Sequence, residues 1–114
     1  MLEPRLAADV QVKAIQRIAE AQGHFATVIS RGDAVSGSIL ILGRIRSQIP
    51  VIYERFPSMD GGYKWELSGP KTAENEREID DWLAKRSARD PDLWILELDV
   101  ASDEQLAELT CKMG

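Results

Sequence analysis

The sequence predicts a single α+β domain over residues 1–114, in the order α-β-β-β-β-α-β-α, with helices packed on an antiparallel sheet of about five strands. Three observations lead to this prediction. Apolar residues recur at helical spacing near the start of the chain and again after residue 72. Short runs rich in β-branched and aromatic residues stand between and after these segments. The length of 114 residues is typical of one domain.

The first helix is predicted from about Pro4 to Gln22. Proline fits the first turn of a helix, where its missing N–H is not needed, and Gly23 is typical of the position after a helix ends. At 100° per residue, one arc of this helix collects Leu6, Ala7, Val10, Ala14, Ile18 and Ala21, and Val12, Ile15 and Ala19 widen it. Arg17 falls within the same arc, so we expect it to extend its charge to water or to pair with an acid.

Four strand-like runs follow, and their short connections predict an antiparallel meander with the helices on one face. The runs are Phe25–Ile29, Ile39–Leu42, Val51–Phe56 and Tyr63–Leu67. The run Ile39–Leu42 is apolar at every position, which favours a central strand covered on both faces.

The remaining elements are a helix, a fifth strand and a last short helix. The second helix is predicted from Thr72, as its N-cap, to Arg89, because acids fill its early turns and bases its late ones. The fifth strand is Leu93–Leu98, and a Ser102–Gln105 capping box opens the last helix. Three tryptophans fall on the inward phase of their elements and are expected in the core: Trp65, Trp82 and Trp94.

Charge and composition exclude several classes of protein. The net charge is −5 and basic residues are scattered among acids, whereas a duplex-binding protein usually has a basic stripe, so we expect no nucleic-acid partner. The longest apolar run has four residues, far short of the roughly 20 that span a bilayer. Cys111 is the single cysteine, and the first residues include an acid and lack the apolar segment of a signal peptide. We therefore expect a cytoplasmic protein without a membrane partner.

The common catalytic motifs are absent from the sequence. His24 is the only histidine, so a triad or a histidine-based metal site would depend on that one ring. Neither glycine-rich phosphate-binding pattern occurs. The sequence therefore predicts no catalytic residue, no metal site and no cofactor.

The order of elements predicts that three loops meet at one end of the sheet: Arg31–Ser38, Pro57–Gly62 and Asp90–Asp92. They carry the candidate ligand-binding residues Arg31, Asp33, Asp60, Asp90 and Asp92. Gly32 is expected to supply a positive φ, and the glycines of these loops are expected to keep this end open. Converging carboxylates would suit a divalent cation or a cationic ligand. The alternative is that aspartate is simply a good turn former.

The chain resembles a family of small bacterial proteins known only as domain of unknown function 1491. The resemblance rests on the first helix followed by Phe25–Asp33, on Gly37–Leu40 at the start of the second strand, and on the junction Arg89–Ile95. It implies an α+β fold and a bacterial cytoplasmic setting. It implies no activity, substrate or functional residue.

Three hypotheses of function follow. The first is a non-catalytic binding or accessory domain, with a homodimer formed through a sheet edge or the last helix as its simplest assembly. The second is a metal-dependent enzyme of nuclease-like topology, with Asp33 and Glu54 as candidate acids, although Glu54-Arg55-Phe56 lacks the expected lysine. The third is a small-molecule sensor with an apolar pocket beneath the first helix, lined by Ile15, Tyr53 and Trp65.

Overall fold

The computed structural model describes residues 7–46, 48–70 and 72–113. Its element order is the predicted one, and the elements are α1 (Ala8–Ala21), β1 (Phe25–Ser30), β2 (Ile39–Ile45), β3 (Val51–Pro57), β4 (Tyr63–Ser68), α2 (Glu76–Arg89), β5 (Trp94–Val100) and α3 (Asp103–Met113). Within those ranges, no helix has both the length and the apolar character needed to cross a membrane.

The five strands form one mostly antiparallel sheet in the order β1-β5-β2-β3-β4. The predicted meander is correct for β2, β3 and β4 but wrong for β1, because β5 lies between β1 and β2. β5 pairs in parallel with β2, from Ile39 beside Trp94 to Ile45 beside Val100. Both strands are almost entirely buried, so placing them side by side at the centre removes the most apolar surface from water.

Helices cover both faces of the sheet, and the prediction that they share one face is wrong. α1 and α3 pack over one apolar cluster, which includes Ile39, Ile41, Leu96 and Leu98. α2 packs over a second cluster on the opposite face, with Leu40, Leu42 and Ile95. β2 contributes alternate residues to each cluster, which confirms that it is covered on both faces and explains why a helix is needed on each side.

α1 has no side-chain cap at its N-terminus, and a distant loop caps it instead. The Ala8 and Asp9 N–H groups donate to the carbonyls of Val35 and Ala34, each at 3.0 Å. These bonds satisfy helix donors that would otherwise need water. The start expected at Pro4 lies outside the described residues, and Arg17 is exposed.

α2 begins three residues later than predicted, because its N-cap is Asn75 rather than Thr72. The Asn75 side chain accepts the Glu78 N–H at 3.1 Å, which is the usual bond of an N-cap. The capping box of α3 is confirmed, since Gln105 N–H donates to Ser102 Oγ at 3.2 Å. In turn, Gln105 Oε1 accepts the N–H of Ala101, the residue before the N-cap, at 3.1 Å.

Ion pairs fasten α2 to the sheet at both of its ends. Near the start of the helix, the Arg44 guanidinium contacts Glu76 at 2.8 Å and Glu97 at 2.9 Å. Near its end, Arg86 donates to both oxygens of Glu54, at 2.9 and 3.1 Å. These hydrogen bonds lower the pKa of Glu54, and those from Arg44 lower the pKa of Glu76. The ion pairs complement an apolar stripe in which only Ile79 and Leu83 are fully buried.

Candidate functional site

The loop between β1 and β2 (residues 31–38) folds tightly over the start of β5. Asp33 N–H donates to the Asp92 carbonyl at 3.0 Å, and Trp94 N–H donates to the Ser38 carbonyl at 2.8 Å. The buried Trp94 ring adds a bond from Nε1 to the Asp33 carbonyl at 2.7 Å. The Arg31 guanidinium lies 5.5 Å from the centroid of the same ring, within the range of a cation–π contact.

Two glycines in this loop are needed because the backbone just before β5 approaches them closely. A Cβ at Gly32 would contact the Asp92 carbonyl oxygen and lie 2.6 Å from its carbon. A Cβ at Gly37 would also contact that oxygen and lie 2.8 Å from Cδ1 of Trp94. The expected positive φ at Gly32 is wrong, and so is the expectation that Gly32 and Gly37 keep this end open. Here the glycines allow close packing.

The predicted meeting of three loops is correct for two of them. Arg31, Asp33 and Asp92 lie together around the start of β5 through the contacts given above. Asp90 joins them, since its carbonyl accepts the Leu93 N–H at 3.1 Å. Asp60 lies in the β3–β4 turn at the same end of the sheet, but β2 separates β3 from β5. The β3–β4 hairpin that carries Asp60 is therefore two strand spacings, about 10 Å, away from β5.

Three of the four candidate aspartates, Asp33, Asp60 and Asp90, each hold a local turn with the side chain. Asp33 Oδ2 accepts the N–H groups of Ser36 at 2.8 Å and Val35 at 3.0 Å, and these bonds lower the pKa of Asp33. Asp60 Oδ1 accepts the Gly62 N–H at 3.1 Å, which lowers the pKa of Asp60. Asp90 Oδ1 accepts the Asp92 N–H at 3.2 Å. These bonds are the ones by which aspartate forms turns, and a ligand-binding role for the five residues stays a prediction.

The geometry offers little to a metal-dependent reaction at the acids singled out from the sequence. Glu54 is held by Arg86 beneath α2, and its Oε1 also accepts the Ser68 hydroxyl at 3.4 Å. Asp33 lies in the loop before β2 and is bonded within its own turn. In the described parts of the chain, no three His, Cys, Asp or Glu side chains are grouped to hold a metal ion.

An apolar cleft of about 250 Å³ lies between α1, the β3–β4 hairpin and the end of α3. Its walls include Ile15 and Ile18 from α1, Arg55 and Tyr63 from the hairpin, and Met113. The sensor hypothesis named Ile15 correctly, whereas Trp65 is buried and Tyr53 packs against the core cluster of this face. Small-molecule binding stays a prediction, now attached to this cleft.

The two edge strands of the sheet differ sharply, and this contrast is the feature that sequence reasoning did not assign. β1 reads Phe-Ala-Thr-Val-Ile-Ser, without a charge or a proline. Ala26 and Val28 pack towards the core, whereas Phe25 is 74% exposed. At the opposite edge, β4 places the exposed charges of Lys64 and Glu66 along the strand. The composition of residues 25–30 carried the signal, but only the strand order shows that they form an edge.

The fold and these surfaces define a small α+β domain with a mixed five-stranded sheet between helices on both faces. The chain belongs to the DUF1491 family of proteins of unknown function, whose family model matches residues 6–108. The resemblance seen in the sequence is therefore confirmed. No curated protein matches the chain.

Solved structures of relatives share the fold. A crystal structure of a DUF1491 family protein from Caulobacter crescentus CB15 is 30% identical, with a TM-score of 0.72 over 84% of this chain and 89% of that one. An NMR structure of a DUF1491 family protein from the same organism is 30% identical, with a TM-score of 0.70 over 85% and 87%. The solution structure of a protein from A. tumefaciens is 25% identical, with a TM-score of 0.68 over 86% and 88%.

Proposed function

We propose that this protein is a non-catalytic protein-binding domain that pairs an extended segment of its partner with the open edge of β1. We call this surface, residues Phe25–Ser30, the β1 edge. The observation that carries the proposal is the contrast between the two edges of the sheet. Open edges present unpaired N–H and C=O groups, and proteins usually protect them with charges or proline. β4 has such charges in Lys64 and Glu66, and β1 has none.

The β1 edge has the geometry that strand addition requires. Its register with β5 is regular from Phe25 to Val28 and shifts only beyond Val28. On the other side of this stretch, alternate main-chain groups are available to a new strand, which is how added strands gain affinity. Gln16 Nε2 donates to the Ala26 carbonyl at 3.4 Å, a long bond that an incoming strand can replace at small cost.

The side chains of β1 are suited to recognising a partner strand. Phe25 and Thr27 are exposed and alternate with Ala26 and Val28, which anchor the strand to the core beneath α1. In strand addition, alternate side chains of this kind provide the specificity, while the main chain provides the affinity. An exposed phenylalanine also supplies the large apolar area typical of interface centres.

The ionisable groups support a non-catalytic assignment. Among the residues that the structure describes, the carboxylates with lowered pKa are Asp33, Glu54, Asp60 and Glu76. In each case the shift has its main cause in a hydrogen bond that closes a turn or fastens α2 to the sheet. Stabilisation of the fold accounts for these shifts, as structural networks perturb pKa values too.

Site-specific photo-crosslinking in the cells that natively produce the protein tests this proposal. Benzoylphenylalanine at Phe25 is expected to link to a partner on illumination, because that side chain would lie in the interface. Leu67 on β4 is the matched control, since it is 67% exposed against 74% for Phe25. The linkage at Phe25 should disappear in a chain that also carries Thr27→Lys. Equal linkage at the two positions, or none at Phe25, would contradict the proposal.

A further inference from the structure

We infer that the partner strand is β1 of a second copy of this chain, so that two sheets join antiparallel about a two-fold axis in the regular part of the strand. This inference rests on the proposed function, and it adds the identity of the partner.

Charge favours the β1 edge as the place where two copies meet. Each chain carries a net charge of −5, so two copies repel unless their carboxylates are kept apart. The six residues of β1 have no charge. Glu97, the β5 residue that pairs with Thr27, already has its carboxylate bonded to Arg44 at 2.9 Å. Asp99, behind Phe25, lies one strand away from the edge.

Two-fold symmetry matches the exposed side chains of the two strands. In an antiparallel pair, residues directly opposite each other point to the same face of the sheet. The exposed phase of one copy, with Phe25 and Thr27, would therefore meet the exposed phase of the other. Aromatic–β-branched and Thr–Thr pairs across strands are among the favourable ones. A second copy supplies this complement from its own sequence.

The charged opposite edge explains why such pairing would end at a dimer. An isologous contact uses the same surface on both subunits and closes the assembly. The joined sheet would have ten strands, and both of its outer edges would be β4. Lys64 and Glu66 protect those edges from further addition.

Sedimentation equilibrium with a charge exchange at Thr27 tests the inference. The wild type is expected to approach twice its chain mass of 12.7 kDa with rising concentration. Thr27→Lys and Thr27→Glu should each remain at the mass of one chain, because like charges would then meet across the axis. An equimolar mixture of the two variants should recover the dimer mass. Leu67→Lys, which adds the same charge at the other edge, should leave the dimer intact.

Three results would overturn the second-copy inference: a wild type that stays at one chain mass at every concentration, a mixture that does not recover the dimer, or a dimer lost equally in Leu67→Lys. The photo-crosslink at Phe25 then separates the two proposals. A product with a different protein, abolished by Thr27→Lys, would leave the β1 edge as a binding surface and replace its partner. No product at Phe25 would overturn both.

Discussion

Gly32→Ala is expected to lower the free energy of unfolding by about 3 kcal/mol or more. The added Cβ would collide with the Asp92 carbonyl and lie 2.7 Å from the carbonyl carbon of Leu93, and both are backbone atoms that cannot rotate away. Relief would require the 31–38 loop to leave β5, with loss of the Asp33–Asp92 bond of 3.0 Å. Thermal denaturation should show a midpoint lowered by roughly 10 °C or more.

Gly62→Ala is the matched control for this substitution. It lies in a loop at the same end of the sheet, and its Cβ would meet only a side-chain oxygen of Asp60 at 3.5 Å, an ordinary contact. Its effect should be within about 0.5 kcal/mol, as for most surface substitutions. If Gly32→Ala were as mild as Gly62→Ala, the close approach of the loop to β5 would be incorrect.

Trp94→Phe is expected to lower the free energy of unfolding by about 2 kcal/mol. Trp94 is 3% exposed, and its Nε1 donates to the Asp33 carbonyl at 2.7 Å. Phenylalanine keeps much of the ring but removes the donor, so the carbonyl is left without this partner, and the smaller ring leaves a void. Urea denaturation of the two chains measures the difference.

Trp82→Phe makes the same chemical change at a half-buried position on α2. It should lower the free energy of unfolding by less than Trp94→Phe does. Gly32→Ala and Trp94→Phe both disrupt the contact between the 31–38 loop and the start of β5. The double variant should therefore lose less free energy of unfolding than the sum of the losses in the two single variants. Equal losses for the two tryptophans, or strict additivity of Gly32→Ala and Trp94→Phe, would argue against Trp94 as the anchor of the loop.

Local patterns predicted the elements well because their signals lie within a few residues. The order of helices and strands, the Ser102–Gln105 capping box and the burial of Trp65 and Trp94 all follow from periodicity and capping chemistry. The strand order does not, because Ile39 pairs with Trp94 across more than fifty residues. Neither segment carries a local sign of that neighbour, so short connections suggested the wrong partner for β1.

The positions of the candidate residues were easier to predict from the sequence than their roles. The 31–38 and 90–92 loops do meet, since both flank the start of β5. The roles of Gly32 and Gly37 depend on the nearby backbone at Asp92, just before β5, which no local pattern encodes. The β1 edge was equally hidden, since an uncharged run such as Phe25–Ser30 is also typical of a central strand until the neighbours are known.

Residue-resolved hydrogen exchange along the two edge strands tests the pairing of β1 with a second copy most directly. In the wild type at high concentration, every amide of Phe25–Val28 should exchange slowly, including the alternate ones that point away from β5. Thr27→Lys should make those outward amides exchange fast, while the outward amides of β4 exchange fast in both chains. Outward β1 amides that exchange as fast as those of β4 in the wild type would contradict the pairing of β1 with a second copy of the chain.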